Sequence, residues 1–336
     1  MKRRMICFFL VVALLTPSVA GASYIKWVDF NVSYEAMDKA LALDIRSQEE
    51  DRPVSWITLL ALGACRTGGK VTAASVEKAW KDLGTGKSPQ ELLGELYKYY
   101  AYYLEAYEAA LGGLVGNYAI LVEENGEKVW KCTYGLKAFS PIAAGYGYSH
   151  CDDFGVGRSY GFARKHLGND LMGGLGTPIV AVEGGVVEAM GWNQYGGWRV
   201  GIRSVDRRRY YYYAHLQKDT PFAPGLKEGD VVQAGQVIGF MGRTGYSHKE
   251  NVNNIETVHL HFGLELIFDE SQKECNSEIW IDVYNIVRLL NRHRSSVTKT
   301  PGGAWERVYA YRDLDTEGPA PWDETAGQAC SCPGGS

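Results

Sequence analysis

The chain has 336 residues, a formal net charge of −4 and 46% hydrophobic residues. This length and apolar content predict a folded protein of about two domains. The slightly acidic balance argues against electrostatic capture of nucleic acid or of another polyanion. The sequence contains no phosphate-binding loop, dinucleotide fingerprint, internal repeat or low-complexity tract, so it offers no support for a nucleotide-dependent enzyme or a repeat scaffold.

The first 22 residues have the layout of a secretory signal peptide. Lys2, Arg3 and Arg4 precede an apolar run, and the small residues Ala20 and Ala22 offer a cleavage site before Ser23. We therefore predict a secreted or extracytoplasmic protein. An uncleaved membrane anchor is the alternative, although the run is shorter than the roughly 20 apolar residues that span a bilayer.

The cysteines permit disulfides without fixing their pairing. Six remain once Cys7 is removed with the signal peptide, and an even number in an exported chain is typical of disulfide-bonded proteins. They are Cys65, Cys132, Cys151, Cys275, Cys330 and Cys332.

Residues 23–113 are predicted to form a helical domain. Ser33 and Thr72 suit N-caps of helices ending near Ile45 and Leu83, and an apolar stripe predicts another helix in Pro53–Cys65. The capping box at Ser88–Glu91 predicts a last helix to Leu111. An apolar stripe along it is interpreted as core, with sugar stacking as the alternative: Leu92, Leu96, Tyr99, Tyr103 and Tyr107.

A hairpin and linker are predicted over residues 114–158. Asn125-Gly126 is a strong two-residue turn signal between two apolar runs. The following stretch, Gly135–Arg158, is rich in glycine and tyrosine, and we expect it to be irregular and to line a groove.

Two later segments are predicted strands that carry histidines. Side chains alternate along a strand, so His259 and His261 of Val258–Leu266 share a face, while Leu260 and Phe262 point into the core. By the same alternation, Tyr211, Tyr213 and His215 share a face of the strand Tyr210–Leu216. Two imidazoles side by side on a sheet favour a metal site over a hydrophobic core.

A further histidine and a carboxylate precede these strands, at His166 and Asp170. Imidazole nitrogen and carboxylate oxygen are good Zn²⁺ ligands, and three protein ligands with an open fourth position are typical of a catalytic zinc site. From the residues alone, the third ligand is either His259 or His261. Each motif taken singly is equally compatible with ordinary structural histidines, but the three together favour a metal.

With these motifs in order, the segment 161–268 resembles the M23 (lysostaphin-like, LytM-type) zinc endopeptidases of bacterial cell walls. The resemblance implies that His166, Asp170 and His261 hold one Zn²⁺ per chain and that His215 and His259 are unliganded catalytic histidines. The motifs that carry it are His166-Leu-Gly-Asn-Asp170, Gly176-Thr-Pro-Ile-Val-Ala181, Gly185-Val-Val187, Tyr213-Ala-His215-Leu216, Leu226-Lys-Glu-Gly-Asp-Val-Val232, Gly235-Gln-Val-Ile-Gly239, Gly242-Arg-Thr-Gly-Tyr-Ser247 and His259-Leu-His261-Phe262.

The expected fold class is α+β, with the helical domain followed by a mainly antiparallel β-sheet peptidase domain that has an open groove. We place the peptidase domain at 159–295, including an amphipathic helix over Ser277–Arg294. A C-terminal extension, 296–336, follows and is expected to be a mobile tail from about Gly318.

The expected function is zinc-dependent hydrolysis of peptidoglycan peptides, in the stem or the cross-bridge. The alternative is a non-catalytic scaffold or activator of another wall enzyme, which the presence of all five site residues disfavours. The sequence leaves open which bond is cut, the oligomeric state and the role of the helical domain.

Two further hypotheses concern neighbours of the site. Glu265 shares the strand face of His259 and His261, so it could orient a histidine; a solvated glutamate is the alternative. The segment Gly145–Arg158 could mask the zinc through His150 and Cys151; the alternative is that it only lines the groove.

Overall fold

The computed structural model describes residues 28, 30–50, 52–273 and 277–317. The predicted signal peptide, the predicted tail and Cys275, Cys330 and Cys332 lie outside the described residues. Across those ranges, no helix combines the length and apolar character needed to cross a membrane.

The α-helices are α1 Tyr34–Ser47, α2 Trp56–Thr67, α3 Ala73–Leu83, α4 Pro89–Leu93, α5 Tyr100–Leu111, α6 Tyr284–Leu290 and α7 Leu314–Glu317. The strands are β1 Val115–Glu124, β2 Glu127–Leu136, β3 Tyr148–His150, β4 Gly157–Tyr160, β5 Phe162–Lys165, β6 Asn169–Gly173, β7 Pro178–Val180, β8 Gly185–Asn193, β9 Gly197–Ser204, β10 Arg209–Ala214, β11 Val231–Val232, β12 Val237–Phe240, β13 His259–Leu266, β14 Ile279–Ile281, β15 Val297–Lys299, β16 Trp305–Arg307 and β17 Tyr311–Asp313.

The first and third helices begin at the predicted caps Ser33 and Thr72, and the second begins at Ser55, inside the predicted range Pro53–Cys65. The side chains of Ser33, Ser55 and Thr72 each accept a hydrogen bond from a backbone N–H in the first turn. Helix α2 is buried on nearly every side because α1, α3 and α5 all pack against it. The predicted N-terminal helices are thus confirmed.

The last predicted helix of this region begins as expected but is not continuous. Ser88 and Glu91 form the capping box, yet α4 ends at Leu93 because Gly94 has a φ of 55°, which is outside helical geometry. A 3-10 segment then leads into α5. Leu96 and Tyr99 are 40% and 47% exposed, so the prediction of one buried stripe was wrong for them, whereas Tyr107 is buried.

The predicted hairpin is confirmed in β1 and β2. Asn125 and Gly126 have φ angles of 54° and 83°, the left-handed pair that a tight hairpin turn requires. The sequence did not predict that β17 pairs with β1. The buried Lys137 reinforces this pairing, because its ammonium lies 3.0 Å from a carboxylate oxygen of Asp313.

The largest sheet in the part of the chain that the structure describes has eight strands. Its order is β11-β8-β9-β10-β13-β6-β3, with β14 also paired to β13, and the pairings are antiparallel. One face packs into the core through Val200, Ile202, Tyr211, Tyr213, Phe262 and Leu264. The α+β class with an antiparallel sheet is confirmed.

The prediction of one helix over Ser277–Arg294 was wrong. Ile279 and Ile281 lie on β14, which pairs with β13, and the helix α6 covers only Tyr284–Leu290. The apolar residues of this stretch alternate at first and adopt helical spacing only later. The first part of the stretch forms a strand because Ile279–Ile281 pair with β13.

A buried arginine joins the helices to the sheet. Arg209, which begins β10, forms an ion pair with Glu183, with Nε 2.8 Å from Oε2. Its Nη1 donates to the backbone oxygens of Glu108 and Ala109 at 3.2 and 2.9 Å. These carbonyls end α5, so the guanidinium satisfies helix-terminal acceptors and fixes α5 on the sheet.

Candidate metal centre and its groove

The His-x-His pair lies on β13, in the interior of the large sheet. Leu260 and Phe262 are buried in the core, so alternation places His259 and His261 on the opposite face, as predicted. β6 pairs with β13 in a register that sets Asp170 opposite His261. Strand pairing therefore brings the carboxylate to the imidazoles.

His166 reaches the same point from the turn before β6. Gly168 permits this turn, because a Cβ there would lie 2.5 Å from the backbone oxygen of Phe262 and 2.8 Å from Cε1 of His261. Only glycine allows the backbone to pass so close to the ring. Gly168 thus lets the turn between His166 and Asp170 pack directly against β13.

Three donor atoms converge in this site. The Nε2 atom of His166 lies 2.8 Å from Nδ1 of His261 and 3.1 Å from Oδ1 of Asp170. Nδ1 of His261 is 3.4 Å from the same oxygen. A tetrahedral zinc with bonds of ~2.0–2.1 Å separates its ligand atoms by roughly 3.3 Å. The spacing of this group, which is the one candidate metal cluster among the described residues, fits Zn²⁺.

The positions of the protons in this site also favour a bound cation, because the atoms that face one another carry none. Nδ1 of His166 lies 3.0 Å from the carbonyl oxygen of Asp153, so it carries the proton and Nε2 presents a lone pair. Oδ1 of Asp170 is buried and makes no hydrogen bond. Lone pairs facing one another without protons between them repel unless a cation lies among them.

The carboxylate is held in its charged form. Burial raises the pKa of Asp170, but the close imidazoles of His166 and His261 outweigh burial and hold that pKa well below its usual range. Burial also lowers the pKa of His261. A charged carboxylate and a neutral imidazole are the forms that bind metal.

The prediction that His215 shares a face with Tyr211 and Tyr213 was wrong. Both tyrosines are buried in the core, while His215 follows the end of β10 with a φ of 61°. This left-handed residue turns the ring to the other side, where it lines the groove with Tyr212 and His261. The broken alternation is what brings His215 to the site.

His215 and His259 stand beside the donor cluster, with ring centroids 4.8 Å apart. Nδ1 of His215 lies 2.8 Å from the Thr244 carbonyl oxygen, and Nδ1 of His259 lies 2.9 Å from that of Thr257. Each Nδ1 therefore carries the proton, and each Nε2 is left as an acceptor. Burial, together with the neighbouring His259 and His261, lowers the pKa of His215 well below its usual value.

Asp153 and Arg158, which the sequence did not single out, support the cluster. Oδ2 of Asp153 lies 3.3 Å from Nδ1 of His166, and its Oδ1 accepts from the backbone N–H of Asp170 at 3.2 Å. Nη2 of Arg158 donates to both carboxylates, at 2.6 Å to Asp153 and 3.2 Å to Asp170. Such outer contacts fix the orientation of metal ligands.

Glu265, His150 and Cys151 contribute no donor atom to the cluster in the described residues, although the backbone N–H of Cys151 donates to the carbonyl oxygen of Asp170 at 3.0 Å. Glu265 is buried opposite Tyr210 and Trp280, where burial and the nearby Glu278 raise its pKa to about 8. The His150 ring packs 4.5 Å from that of Tyr284. Cys151 is a free thiol, as is Cys65, whereas Cys132 is disulfide-bonded.

The β4–β5 hairpin forms one wall of the groove and pairs with no other strand in the described ranges. Tyr160 stacks on Tyr246 at 5.3 Å between ring centroids. Arg164 lies 5.0 Å from the ring centroids of both Tyr195 and Tyr246. Arg164, Tyr195 and Tyr246 line a cavity of about 130 Å³ together with Tyr212, His215 and His261.

A carboxylate and an imidazole on two paired antiparallel strands, a second imidazole in the turn before one of them and two more imidazoles beside the group form the arrangement expected of a metal-dependent hydrolase. Residues 164–274 match the model of Peptidase family M23. This part of the chain is a peptidase family M23 domain, and the resemblance seen in the sequence is confirmed.

Among similar proteins, the L-Ala–D-Glu endopeptidase of Bacillus subtilis is 40% identical over 124 residues, which cover 37% of this chain and 36% of that protein. Lysostaphin of Staphylococcus simulans is 36% identical over 119 residues, or 35% of this chain and 20% of lysostaphin. The chain thus matches about a third or less of the length of these relatives. The solved catalytic domain of S. simulans lysostaphin shares 32% identity, with a TM-score of 0.30, over 37% of this chain and 85% of that one.

Proposed function

We propose that this protein is an exported, zinc-dependent endopeptidase that hydrolyses peptide bonds of bacterial peptidoglycan. The convergence of three donor atoms beside two further imidazoles supports the proposal most strongly. A similar protein of Vibrio cholerae, which is named as a peptidoglycan DD-endopeptidase, supports the substrate class. We assign His166, Asp170 and His261 as ligands of one Zn²⁺ ion, and His215 and His259 as catalytic residues.

When bound, zinc supplies Lewis acidity that activates a water molecule and polarises the scissile carbonyl. The donors would be Nε2 of His166, Oδ1 of Asp170 and Nδ1 of His261. Their positions are fixed before the metal arrives, because β6 and β13 are paired and Asp153 holds the ring of His166.

His215 and His259 are proposed to move the proton of hydrolysis. Both rings are anchored at Nδ1 by a backbone carbonyl, which leaves Nε2 free to accept a proton from the attacking water. Because its pKa is lowered, His215 is neutral at working pH and readily passes that proton to the leaving amine. His259 is placed to donate a hydrogen bond to the oxyanion once it is protonated.

Export follows from the predicted signal peptide over residues 1–22 and agrees with a substrate in the cell wall. The disulfide at Cys132 is also typical of an oxidising compartment. We therefore propose an extracytoplasmic, wall-associated location. Western blotting of cell fractions, with a variant in which Lys2, Arg3 and Arg4 are replaced by glutamine as a control, tests the location directly.

The activity is tested with purified peptidoglycan and mass spectrometry of the released peptides. We expect peptide-bond cleavage by the zinc-loaded protein, loss of cleavage after chelation and recovery when zinc is returned. His215→Ala should keep zinc but lower kcat by roughly 10²–10⁴-fold, whereas the exposed His248→Ala control should not. A zinc-loaded protein that cleaves no peptide bond would instead favour the scaffold or activator function.

A further inference from the structure

We propose that Arg164 is a specificity-determining residue that binds a free carboxylate of the substrate peptide within a few residues of the scissile bond. The substrate class is then an acidic stem peptide, rather than a neutral glycine bridge. This inference rests on the proposed function, because it names the substrate preference of the same groove.

The position of Arg164 connects it with the chemistry. Its guanidinium lies 5.0 Å from the ring centroid of Tyr246, and that ring lies 5.8 Å from the ring of His215. One tyrosine therefore separates the cation from a proposed catalytic histidine. An extended peptide advances ~3.3 Å per residue, so the guanidinium faces a substrate residue within a few positions of the scissile bond.

The guanidinium is held in place without an anion. Tyr195 and Tyr246 both lie 5.0 Å from its central carbon, and cation–π contacts of this kind fix its plane. Nη1 of Arg164 is buried and has no hydrogen-bond partner. Within the described residues, the guanidinium of Arg164 makes neither an ion pair nor a hydrogen bond, although it has several N–H donors to satisfy.

The charge of the cavity points to the same ligand. Its lining includes Arg164 and Lys165 but no aspartate or glutamate among the described residues. The chain as a whole is acidic, with a formal net charge of −4, so the positive charge of this cavity lining is not a consequence of the overall composition. A planar guanidinium binds a carboxylate through two parallel hydrogen bonds, and a neutral glycine peptide has no side-chain group that could replace it.

A second arginine, Arg158, differs from Arg164 because its guanidinium is paired with carboxylates of the same chain. Arg158, on the same hairpin, donates to the carboxylates of Asp153 and Asp170, so its charge is already used within the chain. Arg164 has the same type of side chain on the paired strand and no such partner. The difference assigns Arg158 to the support of the metal ligands and Arg164 to the substrate.

The test uses the full, zinc-loaded protein and a matched pair of stem peptides, which differ only in whether the glutamyl α-carboxylate is free or amidated. We expect wild type to prefer the acid by roughly 10–100-fold in kcat/KM, the range of a charge-assisted hydrogen bond, mainly through KM. Arg164→Gln should bring this preference close to one, and Arg164→Lys should restore part of it. The exposed Arg208→Gln, at the opposite end of β10 from His215, is the charge-matched control and should keep the preference.

Calorimetry with His215→Ala, which should bind the same peptides without cutting them, separates this inference from the proposed function. Preferential binding of the acid that is lost in the His215→Ala/Arg164→Gln double variant supports the role of Arg164, even if no cleavage is seen. Cleavage of acid and amide at equal rates by wild type, or faster cleavage of a pentaglycine peptide, would overturn it. An equal loss of preference in Arg208→Gln would also overturn it, since the effect would then be one of net charge.

Discussion

The two sides of the groove are built differently. The proposed metal ligands lie on or next to β6 and β13, which are paired inside the large sheet, and their backs are fixed by the buried core. The opposite wall is the β4–β5 hairpin, which pairs only with itself within the described residues and reaches the sheet through tyrosine and arginine side chains. This difference indicates that metal binding and substrate selection can be altered separately. The proposed ligands on or next to the strands hold the metal, with support from Arg158 of the hairpin, and we propose that Arg164 of the hairpin selects the peptide.

The largest effect is expected on the strand side. His261→Ala removes a proposed ligand, so zinc affinity should fall by at least about 100-fold, since even outer-shell partners change affinity by roughly 10–100-fold. Metal content after dialysis against a weak chelator measures this, with His248→Ala as the control. Release of zinc by His259→Ala but not by His261→Ala would show that the order within the pair is reversed.

Asp153→Asn is expected to have the next largest effect. The backbone oxygen of residue 153 still accepts a hydrogen bond from Nδ1 of His166. The substitution removes the carboxylate charge that faces His166 and pairs with Arg158. Zinc affinity should fall by roughly 10-fold, with a smaller change in KM for substrate. Competition with a fluorescent zinc indicator measures the affinity. An unchanged affinity would mean that the backbone oxygen alone orients the ring.

On the hairpin side, Tyr160→Ala should affect substrate binding and leave zinc affinity unchanged, the reverse of the ligand substitutions. It removes stacking on Tyr246, which is worth about 0.5–1.5 kcal/mol, and loosens the wall that carries Arg164. We expect KM to rise by roughly 2–10-fold while zinc affinity stays unchanged. If Tyr160→Ala also released zinc, the two sides of the groove would not be separable.

These contrasts also show what could be predicted from sequence. Helix caps at Ser33 and Thr72, the turn at Asn125-Gly126 and the alternation around His259 and His261 depend on neighbours in the chain, so local patterns predict them. The site motifs were found because three short signals occur together in order.

The wrong predictions have physical causes that depend on tertiary structure and are therefore not visible in a local sequence pattern. His215 leaves the strand alternation through one left-handed backbone angle, and Ile279 joins a strand because β13 offers an edge. Asp153, Arg158 and Arg164 carry no motif, and only the folding of the hairpin over β6 brings them to the groove.

The smallest predicted effect concerns stability and involves neither wall. The folded-state pKa of Glu265, about 8, lies above its ordinary value of 4.5, so the folded protein keeps a proton that the unfolded chain releases. This contribution to stability is complete below about pH 4.5 and is lost as the pH rises towards 8. The burial of Glu265 and its neighbour Glu278 outweigh the opposing charge of Arg203.

Glu265→Gln should therefore melt at a higher temperature than wild type at pH 8, by roughly 2–4 °C, and at a similar temperature at pH 4. Calorimetric scans across this range measure it, with the exposed Glu256→Gln as the control. A pH-independent difference between the two proteins would rule out titration of Glu265 as the cause.

The central claim is that one Zn²⁺ ion is held by His166, Asp170 and His261 while His215 and His259 stay unliganded. Anomalous X-ray diffraction at the zinc edge, on crystals of the zinc-loaded protein, tests it most directly. The account predicts a single strong peak within about 2.3 Å of Nε2 of His166, Oδ1 of Asp170 and Nδ1 of His261. A peak bonded to His259 or Cys151 in place of one of these ligands, or no peak at the site, would contradict it.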